Sequence, residues 1–88
     1  MKIRCLAVDD ESYAVDIIAQ HIEKTPFLSL IAKCTNPLEA LEMAQKGLVD
    51  LVFLDIQMHE LSGIDFVKRC GGKVKIILTT AYDQYAIA

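Results

Sequence analysis

The sequence predicts an α/β fold: a parallel sheet with helices packed on both faces. Two observations carry this. Short apolar, β-rich runs alternate with segments of helical period along the whole 88-residue chain, and strict β/α alternation favours a parallel sheet. One run, "DLVFLDI" (50–56), is almost continuously apolar, as expected of a strand covered on both faces.

The elements follow in order. "KIRCLAV" (2–8) is a first strand. From Ser12 the period changes: Ala14, Ile17, Ile18, His21 and Ile22 fall on one face of a helix, which Pro26 stops. His21 is expected to pack there, partly buried. "FLSLIAKC" (27–34) is a second strand. Asn36 is placed to cap a second helix, with Pro37 at its first position and Glu39 able to close a capping box. That helix carries Ala40, Leu41 and Ala44 inward and ends at Gly47. After the 50–56 strand comes the loop "QMHELSG", with Ser62 and Gly63 as cap and turn. A short helix "IDFVKRC" (64–70) is closed by Gly71 and Gly72. "KVKIILTT" (73–80) is a fourth strand, and "DQYAIA" begins another helix. A long apolar fourth strand with nothing to cover its outer edge is a liability. This marks the chain as a piece of a larger domain and predicts self-association through that edge.

Bulk properties narrow the classes. Apolar residues make up 53% and charged residues 24%, ordinary for a globular domain and wrong for a disordered one. The net charge is −3, and Lys and Arg form no basic run, so nothing in the segment suggests a nucleic-acid or anionic-membrane face. No run is long enough to span a bilayer and no signal peptide is visible, so a cytoplasmic location is expected. Cys5, Cys34 and Cys70 are an odd set, widely spaced and without a CxxC pair, and read as reduced thiols.

The strand ends carry the chemistry. The first strand runs into Asp9 and Asp10, the third ends in Asp55, and the fourth ends in Thr79 and Thr80. Ligands of open α/β sheets bind beyond the carboxyl ends of the strands. If the first and third strands are neighbours, the three aspartates converge. Crowded carboxylates repel one another, so a cation is expected to offset them. An oxygen-lined acidic pocket suits Mg²⁺, which keeps several waters and accepts a phosphate oxygen. A carboxylate beside it is a nucleophile of the kind that forms aspartyl phosphates, and Thr80 stands where it could hydrogen-bond phosphoryl oxygens. Without that convergence, Asp9 and Asp10 would simply cap the following helix, Asp55 would be a turn residue and Thr80 a β-former.

"AVDDE", "FLDIQMHELSGIDF" and "IILTTAYD", in this order and spacing, resemble the receiver domain of two-component response regulators, over the whole chain. The ending "TTAYDQYAIA" is similar to receivers attached to LytTR-type DNA-binding domains. The resemblance implies a flavodoxin-like (CheY-like) doubly wound sheet of strand order 2-1-3-4, truncated before the fifth strand. It implies Asp55 as the phosphoacceptor, Asp10 as a direct Mg²⁺ ligand, Asp9 as a second ligand or one acting through water, and the backbone carbonyl of Gln57 as a further ligand. Thr80 would be the switch hydroxyl, with Ala81 leaving room beside it. The phosphodonor would be a sensor histidine kinase docking near the first helix, and DNA would be met only through an absent C-terminal domain.

The chain departs from the family twice. Met58-His59 stands where receivers usually have Met-Pro, and His59 reads as an exposed loop residue rather than a ligand. The lysine that receivers carry on their fifth strand would lie beyond Ala88; Lys73 and Lys75 lie at the opposite end of the fourth strand from Thr80, several residues at ~3.3 Å each, and cannot replace it. Tyr82 and Tyr85 would contact a partner or cover exposed core. The expectation is a signalling domain rather than an enzyme. The alternatives are a non-phosphorylated interaction module and an Asp-nucleophile phosphatase. Such phosphatases usually have a second Asp as general acid two residues after the nucleophile, where this chain has Gln57.

Overall fold

The computed structural model describes residues 2–56, 58 and 61–79. Its elements run β1 (Ile3–Val8), α1 (Ser12–Glu23), β2 (Leu28–Cys34), α2 (Pro37–Gln45), β3 (Leu51–Asp55), α3 (Gly63–Cys70) and β4 (Lys75–Thr79). The four strands form one parallel sheet in the order β2-β1-β3-β4. The expected doubly wound sheet with strand order 2-1-3-4 is therefore present. The helix start at 83–88 lies outside the described residues, as do Thr80, Ala81, Tyr82 and Tyr85.

Helices cover both faces. On one, α2 and α3 bury Ala40, Leu41, Ala44, Phe66 and Cys70 against Leu6, Val8, Val52 and Leu54. On the other, α1 buries Val15 and Ile22 against Cys5 and Ala7. The expected stripe of α1 is corrected by one position. Val15, Ala19 and Ile22 are the buried residues, with Ile18 packed beside them. Ile17 is 42% exposed and His21 is exposed. Packing is set by the direction from which the chain enters the helix, and two apolar stripes overlapping at Ile18 and Ile22 compete here.

A second correction concerns which strand is covered twice. It is β1, whose Cys5, Leu6, Ala7 and Val8 are all fully buried. In β3 the burial alternates, with Val52 and Leu54 buried and Leu51 and Phe53 half-buried. Among the described residues, α1 packs mainly on β1 and β2 and touches β3 only at its side, through Leu51 and Phe53, so that side of β3 is less covered than β1. An apolar groove of about 380 Å³ follows, lined by Ile18, His21, Ile22, Thr25, Leu28, Phe53 and Thr79. At the other edge, the β1–β2 register slips between Cys5 and Leu6, so that Ile31 is skipped and stands 44% exposed.

The turns follow their sequence signals. Asn36 Oδ1 accepts the Leu38 N–H at 2.9 Å, and Pro37 needs no partner at the first helical position. At the other end of α2, Gly47 adopts φ 74°. Its N–H donates to the Ala44 carbonyl and that of Leu48 to the Met43 carbonyl, the paired bonds of a Schellman turn. Thr25 Oγ1 donates to the His21 carbonyl at 2.8 Å, closing α1 just before Pro26. All three cysteines are free and buried, and burial raises each thiol pKa. Among the described residues no helix is long and apolar enough to cross a membrane.

Candidate functional site

The site lies where β1 and β3 end. These strands are parallel neighbours with Val8 beside Leu54, so the residues that follow, Asp9 and Asp55, are brought together by register alone. The Asp9 main chain still donates to the Cys34 carbonyl at 3.2 Å, which extends the β1–β2 ladder and keeps Asp9 in line with its strand. Asp10 is one residue further on, in the turn before α1. Asp9, Asp10 and Asp55 each offer a carboxylate oxygen, and these oxygens all lie within 4.8 Å of one another.

Asp9 is the buried member, 7% exposed. Its Oδ1 accepts the Glu11 N–H at 3.0 Å. This is an Asx turn, and it orients the carboxylate. Glu11 itself occupies the N-cap position of α1 without a side-chain cap bond. The helix-cap role weighed for Asp9 thus reduces to this one bond. Burial pushes the Asp9 carboxyl up from 3.8 to about 6; the Glu11 N–H works against that, and Asp55 and Asp10 add to it. Desolvation of a carboxylate and like charges act in the same direction.

The strand end that carries Asp55 is held from two sides. Asp55 pairs in register with Thr79 of β4, and the Ile56 N–H donates to the Thr79 carbonyl at 2.9 Å. Thr79 Oγ1 also reaches across to the Leu54 carbonyl at 3.3 Å. From the other side, the Gly63 N–H donates to the Ile56 carbonyl at 3.1 Å. Ser62 Oγ accepts the Asp65 N–H at 3.1 Å, so it caps α3 as expected. Gln57, His59 and Thr80 lie outside the described residues.

Two contributors went unseen in the sequence. The Glu11 main chain orients Asp9, and the signal was present in "DDE", since Asp commonly accepts the N–H two residues on. The Thr79 hydroxyl contact had no signal, because a threonine at the end of a strand ordinarily serves only β propensity.

A family model of the response regulator receiver domain matches residues 5–88. The chain belongs to the response regulator receiver family. An uncharacterized response regulatory protein of Shewanella oneidensis is 37% identical to this receiver over 87 residues, covering 97% of the chain and 37% of that relative. The sensory transduction protein LytT of Bacillus anthracis is 35% identical over 88 residues, covering 97% of the chain and 36% of the relative. The receiver chain therefore spans a little over a third of the length of these curated relatives. Among solved structures, the response regulator domain of Thermotoga maritima CheB superposes with a TM-score of 0.82 at 26% identity, over 92% of this chain and 62% of that one. Receivers are signalling domains of two-component systems, and the sheet order and its acidic strand ends agree with that membership.

Proposed function

We propose that this receiver accepts a phosphoryl group on Asp55 in a Mg²⁺-dependent reaction, from a phosphohistidine on a sensor histidine kinase. The observation that carries the reading is the meeting of Asp9, Asp10 and Asp55 within 4.8 Å. An all-oxygen, all-anionic donor set suits a hard cation and would be repulsive without one. Asp9, Asp10, Asp55 and the Gln57 backbone carbonyl would hold Mg²⁺. When bound, the ion supplies positive charge that offsets the carboxylates and the phosphoryl oxygens. An Asp55 oxygen attacks phosphorus; the new O–P bond forms as the P–N bond breaks, and the imidazole leaves with the shared electron pair and takes up a proton. Thr80 donates its hydroxyl to the phosphoryl group and biases a two-state equilibrium in the adjoining segment.

The likeness to the sensory transduction protein LytT is in keeping with an attached output domain, which we take to be LytTR-type and DNA-binding, and we place the regulator in the cytoplasm as part of the same reading. On the same reading, residues 1–88 form the receiver portion of a longer regulator, as the partial coverage of its relatives supports. The outer edge of β4, the last strand in the order β2-β1-β3-β4, is covered by a second copy through edge pairing or swapping; a monomer by light scattering at high concentration would reject that part alone. Against a turnover enzyme stands Gln57, where an Asp-dependent phosphatase needs its general acid.

The test is to incubate the chain, and a longer one carrying the following residues, with Mg²⁺ and acetyl phosphate, and to weigh each intact. The longer chain should gain one phosphoryl group and its Asp55→Asn variant none. If neither wild-type chain gains mass although Mg²⁺ binds, the non-phosphorylated interaction module is the better reading. Sustained hydrolysis of a small phosphomonoester would favour the phosphatase.

A further inference from the structure

We propose that Gly63 is a positioning residue for Asp55: its missing side chain lets the first turn of α3 seat directly on the main chain that leaves β3. A Cβ placed on Gly63 would stand 3.0 Å from Ile56 Cα, 3.1 Å from the Asp55 carbonyl oxygen and 3.1 Å from Leu78 Cδ2. The first two are main-chain atoms and cannot rotate away. Conformational freedom does not explain the glycine. Gly47, Gly71 and Gly72 have positive φ and Gly63 does not. At the start of a helix an alanine would otherwise be favoured. Space is what the position requires.

The contact bears on Asp55 because the core anchors α3 beside β3. Phe66, one turn on, is fully buried in the core with Leu54 and Cys70, and Ser62 fixes the first turn through the Asp65 N–H. The Gly63 N–H also bonds the Ile56 carbonyl. A methyl group at Gly63 therefore shifts the Asp55–Ile56 main chain away from α3. Gaps of 3.0 and 3.1 Å call for a shift of a few tenths of an ångström, which uses much of the placement tolerance of about 0.5 Å that a functional site allows. The chemical consequence rests on the reading of Asp55 as phosphoacceptor; the mechanical one does not.

Gly63→Ala is compared with Val15→Ala, a core truncation on α1. Three quantities are read on the whole chain: exchange of the Ile56 amide against that of Val52, the Mg²⁺ affinity of the folded protein by calorimetry, and the rate of labelling by acetyl phosphate. Gly63→Ala should speed Ile56 exchange relative to Val52 by about tenfold as its bond to Thr79 weakens. It should also weaken Mg²⁺ binding, or slow labelling, by about tenfold. Val15→Ala should lower stability and leave both the exchange ratio and the Mg²⁺ affinity unchanged. The double variant Gly63→Ala with Leu78→Val removes the side-chain clash and keeps both main-chain clashes, so it should retain the defect; if Gly63→Ala alone does not fold, this variant is the one read. An unchanged exchange ratio, or restoration by Leu78→Val, overturns the proposal. If wild type neither binds Mg²⁺ nor takes a phosphoryl group, the reading of Asp55 fails, and the exchange ratio decides the role of Gly63 by itself.

Discussion

Replacing Asp9 with Asn should stabilise the metal-free protein at neutral pH while removing its response to Mg²⁺. The carboxyl is buried and flanked by Asp10 and Asp55, and its pKa rises from 3.8 to about 6. The folded state therefore holds a proton that the unfolded state releases more readily. A raised carboxyl favours folding below the unfolded value, and that advantage is lost as pH rises through about 6. A rise of about two units is worth about 3 kcal/mol at 1.36 kcal/mol each. An asparagine keeps an oxygen for the Glu11 N–H but must itself be desolvated, at about 1 kcal/mol, so the expected gain is about 2 kcal/mol. For a domain of this size that is roughly 10 °C in Tm. The assay is urea unfolding in EDTA at about pH 8 and about pH 4. The gain should be present at the higher pH and nearly absent at the lower, where wild-type Asp9 is already protonated. Added Mg²⁺ should raise the wild-type midpoint and leave the variant's unmoved. A variant no more stable than wild type at the higher pH would refute the claim that burial and like charge press on Asp9.

At the opposite end of the sheet the sign reverses. Arg4 holds Asp50 through Nε–H and NH2 bonds of 3.0 and 2.9 Å, which lowers the Asp50 carboxyl to about 2. The stability this pair adds is present above 3.8 and lost as pH falls toward about 2, so Asp50→Asn should flatten the acid limb of the stability profile, and added salt should shrink the difference since the pair is exposed. Asn36→Ala should cost about 1 kcal/mol by urea unfolding through loss of the α2 cap, with Mg²⁺ affinity unchanged. Cys5, Cys34 and Cys70 should react with a thiol reagent only at the rate of unfolding, and a burst of one equivalent in native buffer would contradict their burial.

The β/α order, the sheet class and most turns were legible because each rests on local rules: apolar period, a capping side chain, a glycine with positive φ. α1 shows where such rules stop. "AVDIIAQHI" holds two overlapping stripes, one through Ile17 and His21 and one through Val15 and Ala19, and both use Ile18 and Ile22. Hydrophobicity cannot choose between them. The turn from Asp9 to Glu11 does, by setting the azimuth at which the helix starts. The coverage of β3 was misjudged for a related reason. Leu51 and Phe53 are as apolar as a doubly covered strand requires, but coverage depends on how many helices reach that face, and among the described residues α1 packs mainly on β1 and β2 and meets β3 only at Leu51 and Phe53.

The candidate site was legible in its acids and illegible in its mechanics. That Asp9, Asp10 and Asp55 end strands is visible in one dimension; that they meet requires β1 beside β3, which only the sheet order supplies. The depth of Asp9 follows from β1 being the strand buried on both sides. This depth favours the proposed functional account of the acids over a structural one. A structural carboxylate has its pKa lowered by its partners, as Arg4 lowers that of Asp50. Asp9 has its pKa raised by its surroundings, so at neutral pH it opposes folding in the absence of a cation. On the reading proposed above, a buried acid that costs stability is explained by what it does when a cation meets its charge, and the two carboxylates beside it supply the rest of that place.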